Sequence, residues 1–254
     1  MSDVPSELSK ALEQAAEAAR LLVASDFDGT LSPIVNNPAD ARPLPEAGRA
    51  LIALAGLPET GAALISGRAL SDLRLLSSMP SSVQLVGSHG AEFDSGFSHQ
   101  IDAALLQRIT EELCAIASGK PGVLVETKPA SVALHVRNAA AADAEAALAA
   151  AWAASTSWAA QATTGKAVLE FAVISTDKGE AIDILRDQYN ATAVVFFGDD
   201  VTDEKAFRRI RDGDVGVKVG SGETHAAYRV DSPNDVAVAL NHLLKIRAQS
   251  ADRT

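Results

Sequence analysis

Apolar residues fall along the chain in short compact runs, and stretches of helical period separate those runs. "LLVAS" from Leu21, "GAALIS" from Gly61 and "VQLVG" from Val83 are brief, apolar and bounded by turn formers, which predicts three buried strands. Around them, "SELSKALEQAAEAAR" (residues 6–20), "EAGRALIALAGL" and "LSDLRLLSSM" carry Ala and Leu at helical spacing, the first opening on a Ser6-x-x-Ser9 start. "SPIVNNPADARPLP" is rich in Pro and Asn and reads as a loop. Strands that alternate with helices predict an α/β fold with a doubly wound, Rossmann-like parallel sheet.

The alternation breaks near residue 93. "DAALLQRITEELCAIAS" is helical, "GVLVETKPASVALHVRN" gives two alternating strands around Pro129, "AAAADAEAALAAAWAAS" is an Ala-rich helix and "KAVLEFAVI" a further strand. Trp152 and Trp158 nearby read as core or interface anchors. A helix-strand-strand-helix-strand order predicts an inserted α+β module over residues 93–170, between core segments 1–92 and 171–254. After residue 175 the strand–helix rhythm returns: "TDKGEAIDILRDQY" starts on a Thr176-Asp177 cap with Glu180 placed as in a capping box. "AVVFFGDDVTDEKAFRRI" is a strand, a carboxylate-rich turn and a helix, "DVGVKVG" a last strand and "DVAVALNHLLKI" a closing helix.

Composition supports this reading. With 254 residues, 47% hydrophobic and 4% aromatic, the core must be built from Ala, Val, Leu and Ile, as suits parallel strands under helices. A formal charge of −11 without clustered Lys and Arg argues against a nucleic-acid partner. Cys114 is the single cysteine and forms no internal disulfide. The start "MSDVPSELSKALEQ" is acidic where a signal peptide is basic and apolar, and no apolar stretch approaches the roughly 20 residues of a membrane span. The expectation is a soluble, cytoplasmic chain with no membrane partner. No motif specifies an oligomer, so a monomer is the default.

Ligands of open parallel sheets sit at the carboxyl ends of the strands. There the chain carries Asp26 and Asp28, Ser66, the Gly198-Asp199-Asp200 turn with Asp203, and Lys178 at a helix start. Each has an ordinary reading: Asp-Gly is a common turn, Ser66 a turn serine, Lys178 a solvated side chain, and "GDDVTDE" an acidic helix start. Their succession at strand end after strand end sets them apart. Carboxylates gathered in one cleft repel by about 4 kcal/mol per pair at about 4 Å and an effective dielectric of about 20, so a cation is needed, and carboxylates suit Mg²⁺. Asp26 and Asp28, at i and i+2, point to one side of an extended backbone, so one can attack while the other moves protons. Ser66 and Lys178 are donors for an anion, and metal with lysine suits a transferred phosphoryl group.

"DFDGTL", the serine of "LISGR", the lysine of "TDKG" and "GDDVTDE" resemble, in order, the four motifs of haloacid dehalogenase superfamily phosphatases. The resemblance spans the chain. It implies that Asp26 attacks phosphorus to form an aspartyl-phosphate, that Asp28 is general acid and base, and that Ser66 and Lys178 hold the phosphoryl group. It further implies that Asp26, Asp28 and Asp199 bind Mg²⁺, with Asp200 or Asp203 assisting. The insertion lies between the Ser66 and Lys178 motifs, where relatives with an α/β cap carry it. The short Asp28–Ser66 interval disfavours phosphoglucomutase-like relatives.

"GSHGAE", "VETKPASVALHVR", "GKAVLE" and "GDDVTDEKAF" narrow the resemblance to the trehalose-6-phosphate phosphatases. It implies a small sugar phosphate as substrate, touched by Gly67, Arg68, Ser88, His89, Glu126, Lys128 and Glu170. Glu126 and Lys128, at i and i+2, offer sugar hydroxyls an acceptor and a donor from one strand face, with His135 and Arg137 further along. His89 reads as a positioning residue. Alternatives are a sucrose-6-phosphate or mannosyl-phosphoglycerate phosphatase of the same design, or a non-catalytic phosphosugar sensor. The intact Asp26, Asp28, Lys178 and Asp199 set speaks against the sensor.

Overall fold

The computed structural model describes residues 4–165 and 167–251; Lys166 of the "GKAVLE" stretch lies outside the described residues. In chain order the strands are β1 (Leu21–Ser25), β2 (Thr60–Ile65), β3 (Val83–Val86), the short β4 (Glu92–Phe93) and β5 (Gly96–Phe97), β6 (Leu124–Thr127), β7 (Ser131–His135), β8 (Gln161–Gly165), β9 (Val168–Ala172), β10 (Ala193–Gly198), β11 (Val215–Val219) and β12 (Tyr228–Val230). The helices are α1 (Ser6–Ala16), α2 (Pro45–Ala55), α3 (Leu70–Ser77), α4 (Ala103–Ala117), α5 (Ala141–Ser155), α6 (Lys178–Tyr189), α7 (Glu204–Phe207) and α8 (Pro233–Ala251). Two compact units result, Met1–Gly96 with Thr176–Thr254, and Phe97–Ser175.

The first unit is a six-stranded parallel sheet in the order β12-β11-β10-β1-β2-β3. Its central strands are apolar on both faces, as the continuous runs predict. Leu21, Val23, Val195 and Phe197 join one buried cluster with Leu8, Leu51 and Leu240 of α1, α2 and α8. Leu22, Ala24, Val194 and Phe196 face the other way, onto Ile182 and Leu185 of α6. β1 has β2 on one side and β10 on the other, so the strand order reverses beside it. That reversal opens a crevice at the carboxyl ends of β1 and β10.

The second unit is an antiparallel sheet, β6-β7-β9-β8, with α4 and α5 contributing to its one core. Val132, Leu134, Leu169 and Phe171 pack with Ile109, Leu113 and Trp158, whose ring meets Phe171 edge-on at 4.8 Å. Residues opposite one another across the strands share a face, so Glu126, Ala133, Glu170 and Thr163 form one row on the face away from that core.

Four sequence expectations need correction. The first helix ends at Ala16, and Pro5 occupies its N-cap without a side-chain bond, so Ser6 already lies inside the first turn. β8 and β12 were not anticipated: "QATTG" is polar, and "YRV" is too short to show a period. The inserted unit runs from 97 to 175 rather than 93 to 170, because β9 belongs to its sheet and the Val173 N–H bonds the Ala130 carbonyl at 3.0 Å. The helix after the acidic turn shrinks to Glu204–Phe207.

Candidate active site

Asp26 is the first residue beyond β1, and its N–H reaches across to the Phe197 carbonyl at 2.9 Å, fixing it at the crevice. Lys178 opens α6, which is capped as predicted by Asp177 accepting from the Glu180 N–H at 3.0 Å. From there the Lys178 ammonium donates to Asp26 Oδ1 at 2.6 Å and to Asp203 Oδ1 at 2.7 Å, with all three side chains buried. Asp203 Oδ2 accepts the N–H groups of Asp199 and Asp200 at 3.0 and 2.9 Å, so this carboxylate folds the turn that presents Asp199. Thr30 donates to Asp199 Oδ1 at 3.3 Å. Gly29 has φ +85°, and a Cβ there would stand 2.1 Å from Asp199 Oδ2. The Asp-Gly pair of "DFDGTL" is therefore also a close-approach site for the second acidic loop.

Carboxylate oxygens of Asp26, Asp199 and Asp203 lie within 4.8 Å of one another. One ammonium cannot neutralise three carboxylates. Burial pushes the Asp26 carboxyl well above its usual range; Lys178 opposes this, while Asp203 and Asp199 add to it. Asp199 is raised in the same way, by burial and then by Asp203. Burial works against the Lys178 charge, but Asp26 and Asp203 outweigh it and hold that lysine above its ordinary pKa. An all-oxygen, anionic cluster with surplus negative charge fits a hard divalent cation such as Mg²⁺.

The remaining predicted carboxylates are engaged elsewhere. Asp28 accepts a bidentate pair from Arg68, Nε to Oδ2 at 2.6 Å and Nη2 to Oδ1 at 2.7 Å, which raises the Arg68 pKa through that hydrogen bond. Asp200 turns its carboxylate to the Val201 N–H at 2.7 Å. The cluster of Asp26, Asp199 and Asp203 includes neither side chain. Ser66 is buried and accepts the Arg68 N–H at 3.2 Å.

The "GSHGAE" loop clamps this region by its backbone. The Ser88 N–H bonds the Arg68 carbonyl at 2.7 Å and the His89 N–H bonds the Ser66 carbonyl at 2.9 Å. Ser88 and His89 both have positive φ, 49° and 56°, and the His89 ring packs where a side chain on Gly67 would be, 2.4 Å from such a Cβ. Ser88 donates its hydroxyl to Glu92, which also caps α3 through the Leu70 N–H at 3.0 Å. Ser88 and Gly67 are thus loop-building residues here, and Glu92 is a buried organiser that sequence reading missed.

In the inserted unit, Lys128 follows the end of β6 and donates to Glu170 Oε1 at 3.0 Å, where Ser131 also donates at 2.6 Å. Glu126 pairs instead with His135 Nε2 at 2.8 Å. Glu126 and Lys128 thus each hold a partner of their own, His135 and Glu170, side by side on one polar sheet face.

A family model described as trehalose-phosphatase matches residues 24–235, from β1 to α8. The chain belongs to the trehalose-phosphatase family. Among curated relatives, the trehalose-phosphate phosphatase of Mycobacterium avium (strain 104) is 38% identical over 82% of this chain and 58% of its own length. That of Mycobacterium leprae (strain TN) is 34% identical over 96% of this chain and 62% of its own. The chain thus spans about 60% of the length of these relatives. The trehalose-6-phosphate phosphatase structure from Aspergillus fumigatus superposes with a TM-score of 0.71 over 96% of this chain and 99% of that one, at 24% identity. The C-terminal domain of the C. albicans enzyme gives 0.74 over 96% and 98%, at 22% identity. These likenesses establish the haloacid dehalogenase fold with an inserted unit. Among the described residues no helix is long and apolar enough to cross a membrane.

Proposed function

We propose that this chain is a Mg²⁺-dependent phosphatase that hydrolyses trehalose 6-phosphate to trehalose and inorganic phosphate. The observation that carries the reading is the buried Asp26–Lys178–Asp203 triad beside Asp199, at the strand-order reversal of a trehalose-phosphatase family chain. Asp26, Asp199 and Asp203 would hold the cation, which when bound supplies charge for the phosphoryl oxygens.

In the proposed reaction an Asp26 oxygen attacks phosphorus, the new Asp–O–P bond forming as the P–O bond to the sugar breaks, and Asp28 gives its proton to the departing sugar oxygen. Water then attacks phosphorus with its proton passing to Asp28, which returns the Asp26 carboxylate and releases phosphate. The bidentate Arg68 pair occupies both Asp28 carboxylate oxygens, so proton transfer at Asp28 requires that pair to loosen. Ser66 and Lys178 are donors for the phosphoryl oxygens. Sugar recognition is assigned to Glu126, Lys128 and Glu170, with His89 as a positioning residue. A small sugar phosphate is then the only partner the reaction needs, in a cytoplasmic setting.

Asp26→Asn keeps the side-chain volume and removes the attacking charge. Its expected result is a folded protein with phosphate release lowered on the order of 10⁴-fold. Chelation should silence the wild type and Mg²⁺ restore it. Near-normal turnover by Asp26→Asn would overturn the nucleophile assignment.

A further inference from the structure

Lys218 stands inside β11, in the apolar run "VGVKV", and is buried with only 5% of its surface exposed. Its register partner is Gly198, the residue before the Asp199 turn. Nζ donates to the Val219 carbonyl at 2.8 Å and to the Asp199 carbonyl. Among the described residues no carboxylate pairs with it. A buried ammonium held only by carbonyls is costly unless something nearby needs its charge or its grip.

What lies nearby is the turn that carries Asp199. The Asp199 N–H is held by Asp203, one carboxylate oxygen by Thr30, and its carboxylate abuts Gly29. Among the described residues, Lys218 supplies the one hold on its carbonyl. Three carboxylates stand against the single charge of Lys178 at the front of the cluster, and Lys218 brings a second positive charge behind the turn. We propose that Lys218 is a positioning residue of this turn: by gripping the Asp199 carbonyl it fixes the direction of the Asp199 carboxylate toward a divalent cation. It touches neither substrate nor metal. The inference rests on the metal role given to Asp199 in the proposed function.

The test is a Mg²⁺ titration of the melting temperature of the full chain, without substrate. Outer-shell partners of metal ligands alter affinity by about 10–100-fold, and the midpoint of the Mg²⁺-induced rise should move upward by about that much in Lys218→Met. Removal of a positive charge on its own would move the midpoint the other way, because the charge repels the cation. An unchanged or lowered midpoint therefore overturns the inference, even where the metal-free protein melts earlier. Lys218→Gln retains an amide donor of shorter reach, and is judged by the same criterion should Lys218→Met fail to fold. A wild type whose melting ignores Mg²⁺ overturns both this inference and the metal role beneath it. A responsive wild type with an unchanged variant overturns this inference alone.

Discussion

The Lys178 ammonium lies 2.6 Å from Asp26 Oδ1, and both groups are buried at the meeting of a strand end with a helix start. The pair belongs to a set of one lysine and three acids, so its removal has unequal consequences. Taking away the cation leaves buried carboxylates facing one another, whereas taking away one acid relieves repulsion.

Lys178→Met is expected to destabilise the metal-free protein by about 3–5 kcal/mol, the usual cost of breaking a buried ion pair from one side. Asp203→Asn should cost less at the cluster, although it weakens the turn. Urea unfolding of both variants checks this, and a Lys178→Met protein as stable as wild type would contradict it.

The raised Asp26 and Asp199 carboxyls give a pH dependence with a definite sign. Their protonated forms are favoured in the folded metal-free state, so this contribution is present in acid and is lost as pH rises through the raised values. Under the proposed function Mg²⁺ would supply the missing positive charge. Saturating Mg²⁺ should therefore raise the melting temperature more at about pH 8 than at about pH 5, since protons compete with the cation for the carboxylates. Equal shifts at both pH values would contradict the assignment.

Much of this arrangement was legible because its parts are local. Short apolar runs that stop on Asp26, Ser66 and Gly198 announce strand ends, and a parallel sheet brings strand ends together. Pairings between side chains far apart in sequence were not legible: Arg68 on Asp28, His135 on Glu126 and Lys128 on Glu170 depend on tertiary juxtaposition that no spacing encodes. Lys218 did leave a signal, a charge at an inward position of an otherwise apolar strand. β8 left none, because its residues are mostly exposed and polar.

The polar face of the inserted unit predicts a split between substrates. Under the proposed function, Glu126→Ala and Lys128→Ala should lower kcat/KM for a disaccharide phosphate by about tenfold or more, since each would leave unmade a hydroxyl contact worth about 1–3 kcal/mol. The same variants should leave a small aryl phosphate nearly unaffected. Equal losses on both substrates would assign these residues to general stability.

Arg247 offers a control remote from the chemistry. From α8 it donates to the carbonyls of Ala16, Ala18 and Glu59 and to Thr60 Oγ1, tying the helix to the start of the sheet. Arg247→Met strands the Ala16 and Ala18 carbonyls, while the Glu59 carbonyl keeps the Leu21 N–H, and should cost about 2–4 kcal/mol in denaturant unfolding while kcat of the folded fraction stays unchanged. A loss of kcat with stability intact would contradict its structural role.

The most direct measurement is phosphate release by the purified chain from trehalose 6-phosphate and from glucose 6-phosphate, each with Mg²⁺ and with excess chelator. The proposed function predicts Mg²⁺-dependent release with kcat/KM for trehalose 6-phosphate at least about 100-fold above that for glucose 6-phosphate, whose missing ring leaves polar groups unpaired. Comparable rates on the two sugars, or full activity in chelator, would contradict it.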